Sequence, residues 1–170
     1  MTTLAGLALL CAGAGCAKTG VAQAAPSWNV RTMIDDRTAG FGPDRFQYVG
    51  HWQSVSDHDD GRSLGTSTRS FHRNDVATLS FAGTQVRLYG VLGPKGGEAF
   101  VAVDGKRAAR VSFRAVMVSP NALVYTSPLL AANAHTLTIS VAGGSDQTSK
   151  SAGFTNIDGA VISNFPQRGE

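Results

Sequence analysis

The chain has 170 residues, room for one ordinary domain and too little for two, and 42% of them are hydrophobic against 16% charged. That balance permits a packed core and argues against intrinsic disorder. Fifteen Lys and Arg against twelve Asp and Glu give a net charge of +3. The charges are scattered, so there is no basic arm of the kind that grips nucleic acid. Twenty glycines point to a turn-rich, helix-poor fold.

In chain order, the first feature is an apolar run of Leu, Ala and Gly from Leu4 to Ala14. It is too short to span a bilayer but suits the core of a signal peptide. Ala22-Gln23-Ala24 then supplies the small-x-small pattern of a cleavage site. This divides the chain into a leader, 1–24, and a domain, 25–170. A second reading competes: Gly13-Ala14-Gly15-Cys16 resembles a lipoprotein box, in which the leader ends at Gly15 and Cys16 carries the lipid. A lipid on Cys16 is the one membrane attachment the sequence suggests. Either reading implies export, and a location outside the cell or in its envelope. Both cysteines, Cys11 and Cys16, lie in the leader. The remainder therefore has no disulfide, thiolate zinc site or thiol nucleophile, and its core must hold it together.

The rest reads as short strands. Val76–Phe81, Gln85–Gly90, Ala99–Val103, Arg107–Arg114, Leu123–Ser127, His135–Val141 and Phe154–Ile162 alternate apolar with polar or hydroxyl residues, the period of a half-buried strand. Asp104-Gly105 between two such runs predicts a hairpin turn. Gly93-Pro94-Lys95-Gly96-Gly97, Pro120-Asn121 and Gly143-Gly144-Ser145-Asp146 mark further turns. Ser54 to Arg73 is polar and unpatterned, and reads as a long surface loop with one edge strand at most. Seven or eight strands at this spacing predict an all-β, antiparallel β-sandwich.

Several segments then fall into an ordered set: Ile34-Asp35-Asp36, Phe46 to Trp52, Leu79 to Gly90, Gly93 to Gly97, Val101 to Lys106, His135-Thr136-Leu137 and Asn156-Ile157-Asp158. In this order they resemble the galactose-binding-like jelly rolls of bacterial carbohydrate-binding modules, including those fused to esterases and glycoside hydrolases. The resemblance covers nearly all of residues 25–170. It implies a jelly roll that binds carbohydrate without catalysis, with Tyr89, Lys95 and Asn156 near one rim as ligand-binding residues and Trp52 as a further aromatic. It also implies a structural calcium ion held by Asp35, Asp36 and Asp158. Plain structural roles stand beside these. Trp52 also suits a core plug, the Gly93–Gly97 segment a solvated hairpin, and the aspartates turn caps.

Catalytic signals are weak. There is no Gly-x-Ser-x-Gly elbow, and His51, His58, His72 and His135 lack metalloprotease spacing. Asp57-His58-Asp59-Asp60-Gly61 fails the calcium-loop pattern, because Gly61 stands where an oxygen ligand is needed. A structural or adhesive envelope protein is the alternative function, with a small hydrolase behind it. The sequence leaves the oligomeric state open.

Overall fold

A computed structural model describes residues 30–56, 61–106, 109–143 and 153–165. The leader with Cys16, and the acidic segment 57–60, lie outside the described residues. Eleven strands account for most of the rest: β1 (Val30–Asp35), β2 (Arg45–Val49), β3 (Gln53–Ser56), β4 (Thr66–Ser70), β5 (Val76–Gly83), β6 (Gln85–Leu92), β7 (Glu98–Val103), β8 (Ala109–Ser112), β9 (Ser119–Thr126), β10 (Asn133–Gly143) and β11 (Thr155–Asn164). Among the described residues the only helical element is a single 3-10 turn, Ser63–Gly65.

The strands form two antiparallel sheets packed face to face. The first runs β3-β4-β11-β6-β9, and β1 also pairs with β11. The second runs β2-β5-β10-β7-β8. Their inner faces meet in a core that includes Phe46, Leu79, Leu88, Leu137, Ile139 and Ile157, all fully buried. The period-two alternation is realised directly: β5 buries Ala77, Leu79 and Phe81 and leaves Thr78 and Ser80 half-exposed. At the β7–β8 turn, Asp104 and Gly105 take φ of 52° and 65°, the left-handed pair a tight hairpin requires.

The centre of the first sheet is β11, which is long enough to pair with two strands along one edge. Its first half pairs with β4 (Thr155 with Ser70, Ile157 with Thr68), and its second half with β1 (Gly159 with Asp35, through Asn164 with Val30). The two partners meet end to end at Asp158, where the pairing with β6 on the other edge also slips by one residue. Each such junction leaves backbone donors outside the ladder, and they need other acceptors.

One expectation is corrected here. The polar stretch from Ser54 to Arg73 is not mainly a loop, because it contains most of β3 and all of β4, and β4 lies inside the sheet between β3 and β11. Apolar alternation is absent because the core-facing positions of β4, Thr66, Thr68 and Ser70, are hydroxyl residues bonded to carboxylates. Thr66 and Thr68 donate to Asp36, and Ser70 donates to Asp75. The chain also makes more strands than the seven or eight expected.

Candidate functional site

The Gly93–Gly97 loop joins β6 to β7 at one end of the sandwich. Gly96 accepts no side chain, since a Cβ there would stand 1.8 Å from the Phe113 carbonyl oxygen, and one on Gly97 would stand 2.4 Å from that of Gly153. The glycines thus let the loop lie against the protein's own backbone. The Phe113 amide donates to the Gly97 carbonyl, and the Phe154 amide donates to the Lys95 carbonyl at 3.0 Å. Lys95 is fixed at its backbone, while its exposed side chain makes no hydrogen bond or ion pair among the described residues. Beside the loop a hollow of about 340 Å³ is lined by Pro94, Arg114, Ala115 and Val116.

From this loop the outer face of the first sheet extends across β11 and β4. Ile157 is in the core, so alternation turns Asn156 toward the outer side of the sheet, but at 3% exposure it is covered by its neighbours and lies under this face, not on it as expected of a ligand-binding residue. Its cross-strand partner is Arg69. One step further toward the loop, Phe71 and Phe154 meet edge to face, with centroids 6.2 Å apart and planes at 80°. The Arg69 guanidinium carbon sits 5.1 Å from the Phe71 ring centroid. Both phenylalanines are half-exposed. The result is a patch of two aromatic rings and a guanidinium on adjacent strands, with an amide beneath them. Within it, Arg69 Nε and Asn156 Oδ1 are enclosed with no hydrogen-bond partner among the described residues. Tyr89, half-buried on β6, follows the core residue Leu88 and faces the same side.

Of the four expected ligand-binding residues, Lys95 and Tyr89 therefore belong to one face or its rim, and Asn156 lies under it. Trp52 does not join them. Its indole packs on Tyr48 at 5.2 Å and against the core, and its N–H donates to the Val49 carbonyl at 3.2 Å. This is the plug role, filled with its polar edge satisfied. Sequence reasoning missed Arg69, Phe71 and Phe154. The available signal was the matched i, i+2 spacing of Arg69/Phe71 and Phe154/Asn156, which only the β4–β11 register brings together.

The three aspartates assigned to calcium are close enough for Asp35 and Asp158 both to act on Asp36 electrostatically. Each of them accepts protein donors. Asp158 accepts the amides of Ser63 (2.8 Å) and Asn121 (2.7 Å), one on each oxygen. Asp36 accepts the hydroxyls of Thr66 (2.9 Å) and Thr68 (2.6 Å), again one on each. Asp35 Oδ1 accepts the Arg37 amide, leaving only its Oδ2 without a donor. Among the described residues no group of three or more His, Cys, Asp or Glu is gathered to hold a metal. They surround the place where β1 gives way to β4 along β11, and they tie it to the 3-10 turn through Ser63, to β4 through Thr66 and Thr68, and to β9 through Asn121. Burial pushes the Asp36 carboxyl above the ordinary range, against the two hydroxyls and with help from Asp35 and Asp158. Burial likewise raises Asp158, opposed by its two amides and by Arg62.

A serine, an aspartate and two histidines also converge near this end. Ser70 donates to Asp75 Oδ2 at 2.5 Å, the His51 amide donates to the same oxygen at 2.7 Å, and the His51 and His72 rings lie 4.4 Å apart. The order is wrong for nucleophilic catalysis, which needs the hydroxyl bonded to an imidazole. Here it is bonded to the carboxylate, and Ser70 is fully buried. Burial opposes ionisation of Asp75, but the Ser70 hydroxyl, the His51 amide and the two imidazoles outweigh it and hold the carboxyl low. The group reads as a loop anchor.

No family model matches the chain, and no curated protein matches it. Solved structures do. The CBM36-1 domain of a multidomain xylanase from the hindgut metagenome of Trinervitermes trinervoides is 13% identical with a TM-score of 0.50, over 83% of this chain and 100% of that domain. A two-domain esterase active on acetylated mannans is 14% identical with a TM-score of 0.51, over 82% of this chain and 37% of the esterase. A cycloisomaltooligosaccharide glucanotransferase from Paenibacillus sp. is 14% identical with a TM-score of 0.50, over 76% of this chain and 19% of the enzyme. The chain thus spans a whole binding domain but only a minor part of either enzyme. At these identities the likeness is one of fold: the chain has the jelly-roll sandwich seen in carbohydrate-binding modules.

Proposed function

We propose that this protein is an exported, non-catalytic carbohydrate-binding module that takes its ligand on the outer face of the first sheet, beside the Gly93–Gly97 loop. The observation that carries this reading is the patch formed by Phe71, Phe154 and Arg69 over Asn156. Sugar recognition needs an apolar face for the C–H side of a pyranose and polar groups for its hydroxyls. The two half-exposed rings supply the first. Arg69, Tyr89 and the free ammonium of Lys95 supply the second, with Asn156 buried beneath them. Binding of carbohydrate by domains of this fold supports the reading. The leader-like segment 1–24 supports export, with lipidation at Cys16 as the variant form. A glycan array probed with the chain, followed by titration of any hit against Phe71→Ala and Phe154→Ala, tests it. Glycan binding that both variants retain in full would move the site elsewhere.

A second reading is favoured by one feature. Val116, Met117 and Val118 are 93%, 74% and 60% exposed, a run of apolar side chains at the tip of the β8–β9 connection. Such a tip suits adhesion to another protein of the envelope. Polar replacement of all three residues would abolish adhesion on that reading and leave glycan binding intact on the first.

A further inference from the structure

The charge on the proposed face is one-sided. The carboxylates around it are already engaged: Asp158 by Ser63 and Asn121 with Arg62 beside it, Asp75 by Ser70 and His51, and Glu98 by Arg110. Arg69 and Lys95 have no such partner among the described residues. Among the described residues the Arg69 guanidinium makes no ion pair and rests over the Phe71 ring. That contact seats the guanidinium over an aromatic ring and limits its freedom. Its Nε is enclosed without an acceptor, and the acceptor Oδ1 of Asn156 is unpaired on the residue directly opposite.

We infer that Arg69 is a carboxylate receptor and that the ligands of this face are acidic glycans, in which a hexuronate ring packs on Phe71 and Phe154. This rests on the carbohydrate-binding reading above and narrows it. A guanidinium presents two parallel N–H donors matched to the two oxygens of a carboxylate. An aromatic ring under that fork places the sugar ring and its carboxylate on adjoining surfaces. The chain of contacts runs from Arg69 to Phe71, from Phe71 to Phe154, and from the Phe154 amide to the Lys95 carbonyl. Lys95 therefore stands at the far side of the aromatic pair as a second, exposed positive charge. It suits the next acidic residue of a polymer. A neutral hexose would leave both cations unmatched.

The test is calorimetric titration of the full chain with tri-galacturonic acid, its methyl ester, and xylotriose. The expected result is that the acid binds about tenfold or more tightly than its ester, the strength of a charge-assisted pair, with the preference shrinking as salt is raised. Arg69→Lys should remove most of that preference while keeping the charge, because the fork is lost. Lys95→Ala, in an exposed turn, should lower affinity for the acid about threefold more than it lowers affinity for the ester. Thermal melts establish that each variant is folded. If Arg69→Lys does not fold, Lys95→Ala and the salt dependence decide alone. Equal affinity for acid and ester overturns the acidic specificity and leaves the carbohydrate-binding reading standing. Binding to none of the acidic or neutral glycans, on the array or in titration, overturns both.

Discussion

The carboxylate of Asp36 accepts the Thr68 hydroxyl at 2.6 Å and thereby ties the end of β1 to the middle of β4. The two strands never pair with each other, since both pair with β11. Thr66 completes the clamp on the other carboxylate oxygen, and the Tyr48 hydroxyl donates to the Asp36 backbone carbonyl at 2.9 Å. Burial, then the charge of Asp36, drives the Tyr48 phenol far above its usual range, so it remains a donor. A loosely patterned, hydroxyl-rich strand thus keeps its place inside the sheet by side-chain hydrogen bonds.

That clamp has a measurable cost. The Asp36 carboxyl is raised above its ordinary value of 3.8 chiefly by burial, so the folded state holds its proton more tightly than the unfolded chain does. Stability from this group is greatest below pH 3.8 and declines as pH rises through the folded value. Asp36→Asn keeps one acceptor and removes the charge, and a threonine hydroxyl can turn to accept from the amide. We expect Asp36→Asn to melt above wild type at neutral pH, with the difference shrinking in acid. Melts with calcium and with chelator should coincide for both proteins. A calcium-dependent rise in wild type that Asp36→Asn or Asp158→Ala abolishes would show instead that the acidic group binds the ion.

His135 gives the opposite pH signature at the other end of the sandwich. Its ring nitrogens contact the Ala131 carbonyl at 2.8 Å and the Asp104 carboxylate at 2.7 Å. Both partners are acceptors, so the doubly protonated ring fits best. The Ala131 carbonyl raises its pKa above 6.5, against burial and with support from Asp104. This stability is fully present below pH 6.5 and is lost as pH rises through the folded value. Burial opposes ionisation of Asp104, but the Thr136 amide and His135 pull its carboxyl down, so that contribution disappears only in acid. Melting temperature should fall between about pH 6 and pH 8 in wild type and stay flat in His135→Gln. Parallel profiles would mean that the ring does not titrate as described.

Trp52→Ala separates packing from recognition. Loss of the indole from Tyr48 and the core edge should cost about 2–3 kcal/mol. Glycan affinity, measured well below the melting transition, should not change. Phe71→Ala should do the reverse, lowering affinity about tenfold with little effect on melting. A Trp52→Ala protein that is stable but fails to bind would return Trp52 to the site.

Gly96→Ala should destabilise the fold by about 1–3 kcal/mol, the range for overpacking, because the new methyl group meets the Phe113 carbonyl. Proteolysis should then cut within Gly93–Gly97, where wild type resists. Unchanged melting would show that the loop moves away from β8 without penalty.

The sequence made most of the sandwich legible because β5, β6, β7 and β10 carry apolar residues at every second position, and Asp104-Gly105 announces its own turn. β4 was unreadable for a physical reason: Thr66, Thr68 and Ser70 are buried by pairing with Asp36 and Asp75, and no apolar periodicity records such pairing. The same gap concealed Arg69 and Phe71, which look like isolated residues in a polar stretch until β11 sets Phe154 and Asn156 opposite them. The glycines of the Gly93–Gly97 loop were legible as a turn. Their reason, close contact with Phe113 and Gly153, depends on residues far away in sequence.

The position of β11 also governs the order in which the molecule can be completed. Residues 155–164 supply the partner for β1, β4 and β6, so the first sheet has no centre until they arrive. A chain emerging from its N-terminus therefore carries β1 and the β3–β4 hairpin without their β11 partner until residues 155–164 emerge. Pairing across such separations is slow. The topology delays closure of the first sheet until residues 155–164 have emerged and keeps the preceding chain threadable until then.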